Sequence, residues 1–495
     1  MTLMEYKYSL LSSVTEDHRK RSLQFTVGPM DPLAVLEANR DQLRRWGVLA
    51  CFRKAKLYSF LFVLTVMFLI TASYILTGEK KGLLLTPSPY RIRSIVSPGQ
   101  FSFNLTSARD YANIKLVVKT IVSKVEFSSR HVPELKDLVH HEPHMFSVIP
   151  RKFFPDVKNP CWYEEHSGNI SMDPYEKNLY ALYSRRFRTE CDILRKAFRE
   201  HLHYRGGRYY RMRCLPYFYI IGQPKCGTTD LYDRLKLHPE VRFTTMKEPH
   251  WWTRKRFGVV RLSEGFHDRY PMEDYLDLFD LAAYQIQDHL VGNASRSQNK
   301  RNIITDFVHA VQPDAKFIVM LRDPVERLYS DYLYFSIANK SAEDFHERVS
   351  ESLQLFEGCL AEFSMRSCVY NTTLNNAMPV RLQVGLYIVY ILDWLTVFRR
   401  DQILVLRLED HATNRKYTMH KVFDFLSLGP LTEQKEAEIT KSPASNTRRP
   451  ADKNLGPMLP FTREILRDFY SPFNEKLAKV LNNDSFMWEN HSKLM

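Results

Sequence analysis

The sequence predicts an α/β fold: a mostly parallel sheet flanked by helices, built around a phosphate-binding loop and set behind a single N-terminal transmembrane helix. Three observations carry this. Residues 217–221 are a short run of aromatic and β-branched residues, which reads as a buried strand. The run passes into a turn between Gly222 and Gly227 and then into a helical pattern opening at Thr228. Residues 317–321 form a second buried run, closed by Arg322-Asp323-Pro324, with Pro324 suited to a first helical turn. Residues 57–77 hold no charged side chain, and 21 residues in a helix span about 30 Å, the thickness of a bilayer's hydrocarbon core.

The chain has 495 residues, 44% of them hydrophobic, and a formal charge of +14, so its partners are expected to be anionic. Residues 1–56 are polar and end in a basic stretch; they read as a cytoplasmic tail. The uncharged run 57–77 lies too far from Met1 to be a cleaved signal and reads as a signal anchor, with the bulk of the chain lumenal. Residues 78–110 read as a stem and 111–495 as the folded lumenal domain. Seven Asn-x-Ser/Thr acceptors, at Asn104, Asn169, Asn293, Asn339, Asn371, Asn483 and Asn490, all follow the anchor, as do six of seven cysteines. That placement fits an oxidising, glycosylating lumen, and Cys359 and Cys368 are expected to form a local disulfide. Residues 181–199 read as an amphipathic helix, with Leu182, Phe187, Ile193, Leu194 and Phe198 apolar and a basic opposite face.

The turn after the first strand holds Lys225, Cys226, Gly227, Thr228 and Thr229. A strand, a glycine turn and a helix N-terminus aim backbone N–H groups and the positive end of the helix dipole at one point. In a nucleoside-triphosphatase loop the lysine directly follows the second glycine. Here Lys225 precedes Gly227 by two residues, which places its ammonium on the loop's shoulder, suited to charge on a departing bridging oxygen. Thr228 and Thr229 offer hydroxyls and N–H groups to a phosphate. Cys226 is expected to be a free thiol, because a disulfide there would disrupt the loop. Next come a candidate strand at 241–245 and the run Lys247-Glu248-Pro249-His250-Trp251-Trp252. This run reads either as a pocket wall, with Glu248 as general base, or as a turn with a surface Glu and buried Trp. Arg322, at a strand's C-terminal end, and Ser330, two turns into the following helix, make a second phosphate site. Two anion sites on one sheet suit a nucleotide phosphorylated at both ends. Helices are expected at 383–398, 417–426 and 461–481, and a strand at 402–408. The basic stretch 441–450 would pass for a solvated loop.

The pair 223–229 and 321–330 resembles the two cofactor signatures of the Golgi carbohydrate sulfotransferases, which use 3′-phosphoadenosine 5′-phosphosulfate (PAPS). Residues 214–275 and 317–473 are most similar to the members that act on the 6-hydroxyl of N-acetylgalactosamine 4-sulfate in chondroitin or dermatan sulfate. The resemblance implies a PAPS-dependent sulfotransferase fold in a single-pass type II Golgi membrane protein, with a sulfated glycosaminoglycan as partner, no nucleic acid and no metal. It leaves room for a homodimer. It also implies roles: Lys225 on the departing phosphate, with Cys226, Gly227, Thr228 and Thr229 around the 5′-phosphate. Arg322 and Ser330 would hold the 3′-phosphate, Thr447 and Arg448 would lie on a loop closing over the cofactor, and Glu248 would be the base. His250 and Arg449 would face the acceptor.

One departure stands out. Between the signatures the family carries a further strand and a Gly-Glu-x-Ser/Thr turn. Here residues 301–305 look like the start of that strand but run straight into Asp306-Phe307-Val308-His309-Ala310, which resembles the next helix. Some three dozen residues are missing against that pattern, which sets an inactive splice form beside the active enzyme. A glycosaminoglycan-binding surface protein is a further alternative.

Overall fold

A computed structural model of the chain describes residues 108–244, 246–256, 270–290, 305–335, 340–445 and 447–489. The predicted tail, anchor and most of the stem lie outside them, as do Asn104, Asn293, Asn339, Asn490 and the strand start at 301–304. No helix among the described residues is long and apolar enough to cross a membrane.

The central sheet runs in the order β4–β5–β6, from Phe218–Gly222, Lys316–Leu321 and Ile403–Arg407, all parallel. Side chains alternate across a strand, and here the alternation sorts them into two cores. Tyr219, Ile221, Phe317, Val319, Leu321 and Ile403 join the larger core with Trp394 and Phe398. Phe218, Ile220, Ile318, Met320 and Leu406 face the other side, against Leu231, Leu235, Met419 and Val422 from the helices Thr228–Leu235 and Arg415–Phe425. Burial on both faces is why these strands read as unbroken apolar runs. Each such side chain contributes about 1.5–3 kcal/mol by leaving water. Apart from the strand at 241–245 and the single helix at 181–199, the predicted strands and helices are found within a few residues of the expected bounds: Pro324–Phe335, Tyr387–Leu395, Arg415–Phe425 and Pro460–Leu481 are helices.

A second sheet, absent from the sequence-based expectation, is antiparallel in the order β1–β3–β2, from Cys161–His166, Arg208–Cys214 and His203–Arg205. Cys161 lies opposite Cys214 in the ladder and is disulfide-bonded to it; Cys359 is bonded to Cys368 as expected. Arg213, fully buried, is held by Asp277 at 2.7 Å and Asp280 at 2.8 Å, so this sheet is fixed to the helices Met272–Asp277 and Asp280–Leu290 by ions as well as by packing.

Two expectations are corrected. Residues 241–244 are not a strand. Val241 makes only an isolated bridge, its N–H donates to His238 O at 3.0 Å and the Thr244 hydroxyl donates to Met246 O at 2.8 Å, and residues 242–244 are irregular. The 181–199 helix is two helices, Leu179–Tyr183 and Arg185–Ala197, because Ser184 turns extended and caps the second through Phe187 N–H. Its inward face is Phe187, Cys191, Leu194 and Phe198, at four-three-four spacing, which leaves Leu182 and Ile193 more than half exposed. Between β4 and β5 the described residues are helical or irregular, and Thr305 opens the helix Thr305–Val311 rather than continuing a strand.

Candidate active site

The site begins at the end of β4. Gly227 is the cap residue of the helix Thr228–Leu235 and sits at φ 80°, a left-handed conformation that favours glycine. A Cβ there would also come within 2.5 Å of Leu408 Cδ1, so a larger residue would have to displace that side chain as well as strain the backbone. Lys225 takes φ 66°, also in the left-handed region, and its Nζ lies 3.8 Å from the centre of the Tyr334 ring. The amides of Thr228 and Thr229 have no intrahelical carbonyl to bond, being in the first turn, and both residues are half-buried. These are the parts of an anion cradle.

The second loop is bonded to the first. Gln223 N–H donates to Met320 O at 2.8 Å, and the Arg322 guanidinium donates to Lys225 O at 3.3 Å. The Tyr387 hydroxyl donates to Arg322 O at 2.8 Å and lies 3.8 Å from Cys226 Sγ. Asp323 N–H donates to Glu409 Oε1 at 2.8 Å. Ser330 is half-buried on the helix that Arg322 leads into. Cys226 is a free, fully buried thiol, and burial pushes its pKa up to about 11, so it fills space rather than reacting.

The basic stretch 441–450 is clamped to the helix of the first loop. Arg234 donates to Ser442 O at 2.8 Å and Pro443 O at 3.2 Å, and also bonds Ile439 O. Asp230 accepts from Ser445 N–H at 2.7 Å and meets His411 Nε2 at 2.7 Å. Burial works against the Asp230 carboxylate, but His411, Arg234 and the Ser445 amide hold its pKa well below the usual range. The clamp sets down an exposed Thr447, Arg448 and Arg449. Arg449 donates to Tyr334 O at 3.0 Å and lies 5.1 Å from the Tyr334 ring, whose face also receives Lys225 Nζ at 3.8 Å. Arg448 lies 5.7 Å from the Tyr329 ring. Burial lowers the Lys225 pKa; Asp331 opposes this, and Arg322 and Arg449 add to it. Lys225 thus lies close enough to Arg322 and Arg449 to feel the charge of both.

The run 247–252 has the features of the second alternative left open by the sequence, a surface Glu with buried Trp. Trp251 and Trp252 are buried against Tyr275, while Glu248 is exposed, its Oε2 3.5 Å from His250 Nε2. The run is held by Tyr180, which donates to Pro249 O at 2.9 Å, and by Trp251 Nε1, which donates to Pro271 O at 3.0 Å. Among the predicted acceptors, Asn169 and Asn483 are exposed and Asn371 is half-buried. Tyr334, Tyr387 and the Asp230–Arg234 clamp were missed, and no local pattern marks them: each acts across more than 100 residues of chain, except Tyr387, which reaches back 65 to Arg322.

The donor set suits a ligand phosphorylated at two points: a helix N-terminus with two threonines, two cations on the Tyr334 ring, and Arg322 bonded to the loop at Lys225 O. Residues 215–483 match the family described as Sulfotransferase domain. Carbohydrate sulfotransferase 15 of Rattus norvegicus is 55% identical over 508 aligned positions, covering 93% of this chain and 91% of the relative; that of Homo sapiens gives the same figures. Since 93% of 495 is about 460, roughly four dozen aligned positions of the rat protein have no counterpart here. Heparan sulfate glucosamine 3-O-sulfotransferase 3A1 of Mus musculus is 28% identical over 56% of this chain and 65% of its own length. A sulfotransferase of Alicyclobacillus acidocaldarius, known from its crystal structure, has a TM-score of 0.37 at 21% identity, covering 55% of this chain and 97% of that one. From the family match and the 55% identity, this chain belongs to the carbohydrate sulfotransferases.

Proposed function

We propose that this chain transfers sulfate from PAPS to the 6-hydroxyl of N-acetylgalactosamine 4-sulfate in chondroitin or dermatan sulfate, as a single-pass type II protein of the Golgi membrane. The carrying observation is the cluster of Lys225, Arg322 and Arg449 at a helix N-terminus. PAPS supplies the activated sulfuryl group and the two phosphates that the donor set suits. Thr228 and Thr229 hold the 5′-phosphate by N–H and hydroxyl, with Cys226 and Gly227 shaping the turn; Arg322 and Ser330 hold the 3′-phosphate. Thr447 and Arg448 close the loop over the cofactor. Lys225 stabilises the charge that develops on the oxygen from which sulfate departs, and it does so from a fixed, partly dry position, where a cation is most effective. Glu248 accepts the proton of the attacking 6-hydroxyl, and His250 and Arg449 orient the acceptor. The two disulfides support the lumenal placement, and the sequons at Asn169, Asn371 and Asn483 are proposed glycosylation sites.

The roughly four dozen positions without counterpart favour a second reading, in which the chain binds the cofactor and does not transfer sulfate. Incubation of the purified protein with radiolabelled PAPS and 4-sulfated chondroitin, followed by disaccharide analysis, decides between the two. The first reading expects a 4,6-disulfated N-acetylgalactosamine unit. The second expects binding of adenosine 3′,5′-bisphosphate (PAP) and no labelled disaccharide.

A further inference from the structure

Lys225 stands at the turn between β4 and the helix Thr228–Leu235, and the backbone there is tied down. Cys226 N–H donates to Gln223 O at 3.2 Å, and the Arg322 guanidinium donates to Lys225 O at 3.3 Å. Four rotatable bonds still separate that backbone from the ammonium, so the loop by itself does not place the charge. What Nζ meets is the Tyr334 ring, with 3.8 Å to its centre. Among the described residues no carboxylate pairs with it; Asp331 and Asp452 act on it through space, against Arg322 and Arg449.

The ring is itself held. Tyr334 lies in the last turn of the helix Pro324–Phe335, and its carbonyl accepts from Arg449 Nη2 at 3.0 Å. The Phe335 ring meets it edge-on with centres 4.8 Å apart, and Arg381 lies 4.5 Å from the Phe335 ring while bonded to Asp331 at 2.8 Å. Tyr334 is 37% exposed, so the core does not depend on its ring. It also stands four residues beyond Ser330, on the same face of the helix. One helix thus carries a proposed 3′-phosphate donor and the ring under the lysine of the other loop.

An aromatic face differs from a carboxylate in one respect that matters here. Its quadrupole attracts the ammonium but carries no net charge to cancel it. The ring face also leaves N–H groups of the ammonium for an oxygen of the bound cofactor. We propose that Tyr334 is a positioning residue: its ring seats the Lys225 ammonium on the shoulder of the phosphate loop, in place before charge develops on the departing oxygen. This role rests on the transfer reaction proposed above.

Two variants isolate the ring face. Tyr334→Leu removes it and keeps the carbonyl that Arg449 uses; Tyr334→Phe keeps it. With labelled PAPS and saturating 4-sulfated chondroitin, kcat is expected to fall about tenfold in Tyr334→Leu and to stay within about twofold in Tyr334→Phe. PAP affinity, read by calorimetry, is expected to stay within about twofold in both. An unchanged kcat in Tyr334→Leu overturns the proposal. So does an equal loss in both variants, which would assign the effect to the hydroxyl, or a matching loss of PAP affinity, which would put the ring in the cofactor's own site. A second readout needs no turnover. The full chain and both variants are treated with limiting acetic anhydride, and acetylation of Lys225 is followed by mass spectrometry of its peptide. The rate is expected to rise by about threefold to thirtyfold in Tyr334→Leu and to hold in Tyr334→Phe. Equal rates in all three overturn the seat. If the unaltered chain transfers no sulfate, the transfer reading fails on that assay, while the acetylation comparison still decides whether Tyr334 seats Lys225.

Discussion

The cofactor side and the acceptor side of the site are built differently. The phosphate loops hang from a fully buried parallel sheet, and backbone atoms do most of the joining: Gln223 to Met320, Arg322 to Lys225 O, Tyr387 to Arg322 O. The run 247–252 follows no strand. Two buried indoles and a tyrosine hydroxyl hold it, and Glu248 projects from it into solvent. A backbone-built cradle tolerates change around it, whereas a side-chain-held carboxylate depends on whatever packs nearby.

The comparison can be broken in order of effect. Lys225→Ala removes the cation proposed to face the departing oxygen, and sulfate transfer is expected to fall by about 10²–10³-fold, measured with labelled PAPS at saturating acceptor. A smaller fall would mean that Arg322 or Arg449 supplies the charge. Glu248→Gln keeps the shape and removes the base; kcat is expected to drop by about 10²-fold while the KM for PAPS holds. Tyr387→Phe deletes one hydroxyl that joins the two loops. It is expected to weaken PAP binding by roughly threefold to tenfold, the worth of one net hydrogen bond, and to leave the acceptor KM in place. Calorimetry with PAP reads this directly, and an acceptor effect instead would move Tyr387 out of the cofactor half.

The smallest effect concerns pH and the packing beneath the acceptor side. Asp274 is buried, and burial raises its carboxyl to about 7, helped by Asp277 and Glu273 and opposed by the Leu179 amide. A carboxyl raised in the folded state favours folding while it stays protonated, and that contribution is lost as pH rises from the unfolded value, near 4, through 7. Asp274→Asn is therefore expected to gain stability relative to the unaltered chain between pH 5 and pH 8. Thermal melts at the two pH values check it, and a constant difference would mean that Asp274 is ionised throughout.

The same contrast explains what could be read from sequence. Both phosphate loops were legible because strand, glycine and helix start are local signals, and β5 is a continuous apolar run. The local Cys359–Cys368 bridge was legible for the same reason. The β1–β3–β2 sheet was not: its strands mix charged and aromatic residues, as in Arg208 to Arg213, and its closure needs Cys161 and Cys214, 53 residues apart. Nor was the Asp230–Arg234 clamp, which looks like an ordinary i,i+4 helix pair until Ser442 and Ser445 come back to it from the far end of the chain. Residues 241–245 look like a strand by composition, but strand pairing is decided by a neighbour, and of 241–244 only Val241 makes a bridge.

The central claim is that a rigid cofactor cradle works beside a separately held acceptor base. Its most direct test measures PAP affinity and sulfate transfer on the same preparation of Glu248→Gln. The account predicts PAP affinity within about twofold of the unaltered chain and transfer reduced by about 10²-fold. Loss of both together would make Glu248 part of the cofactor cradle, and full transfer would remove it from the chemistry.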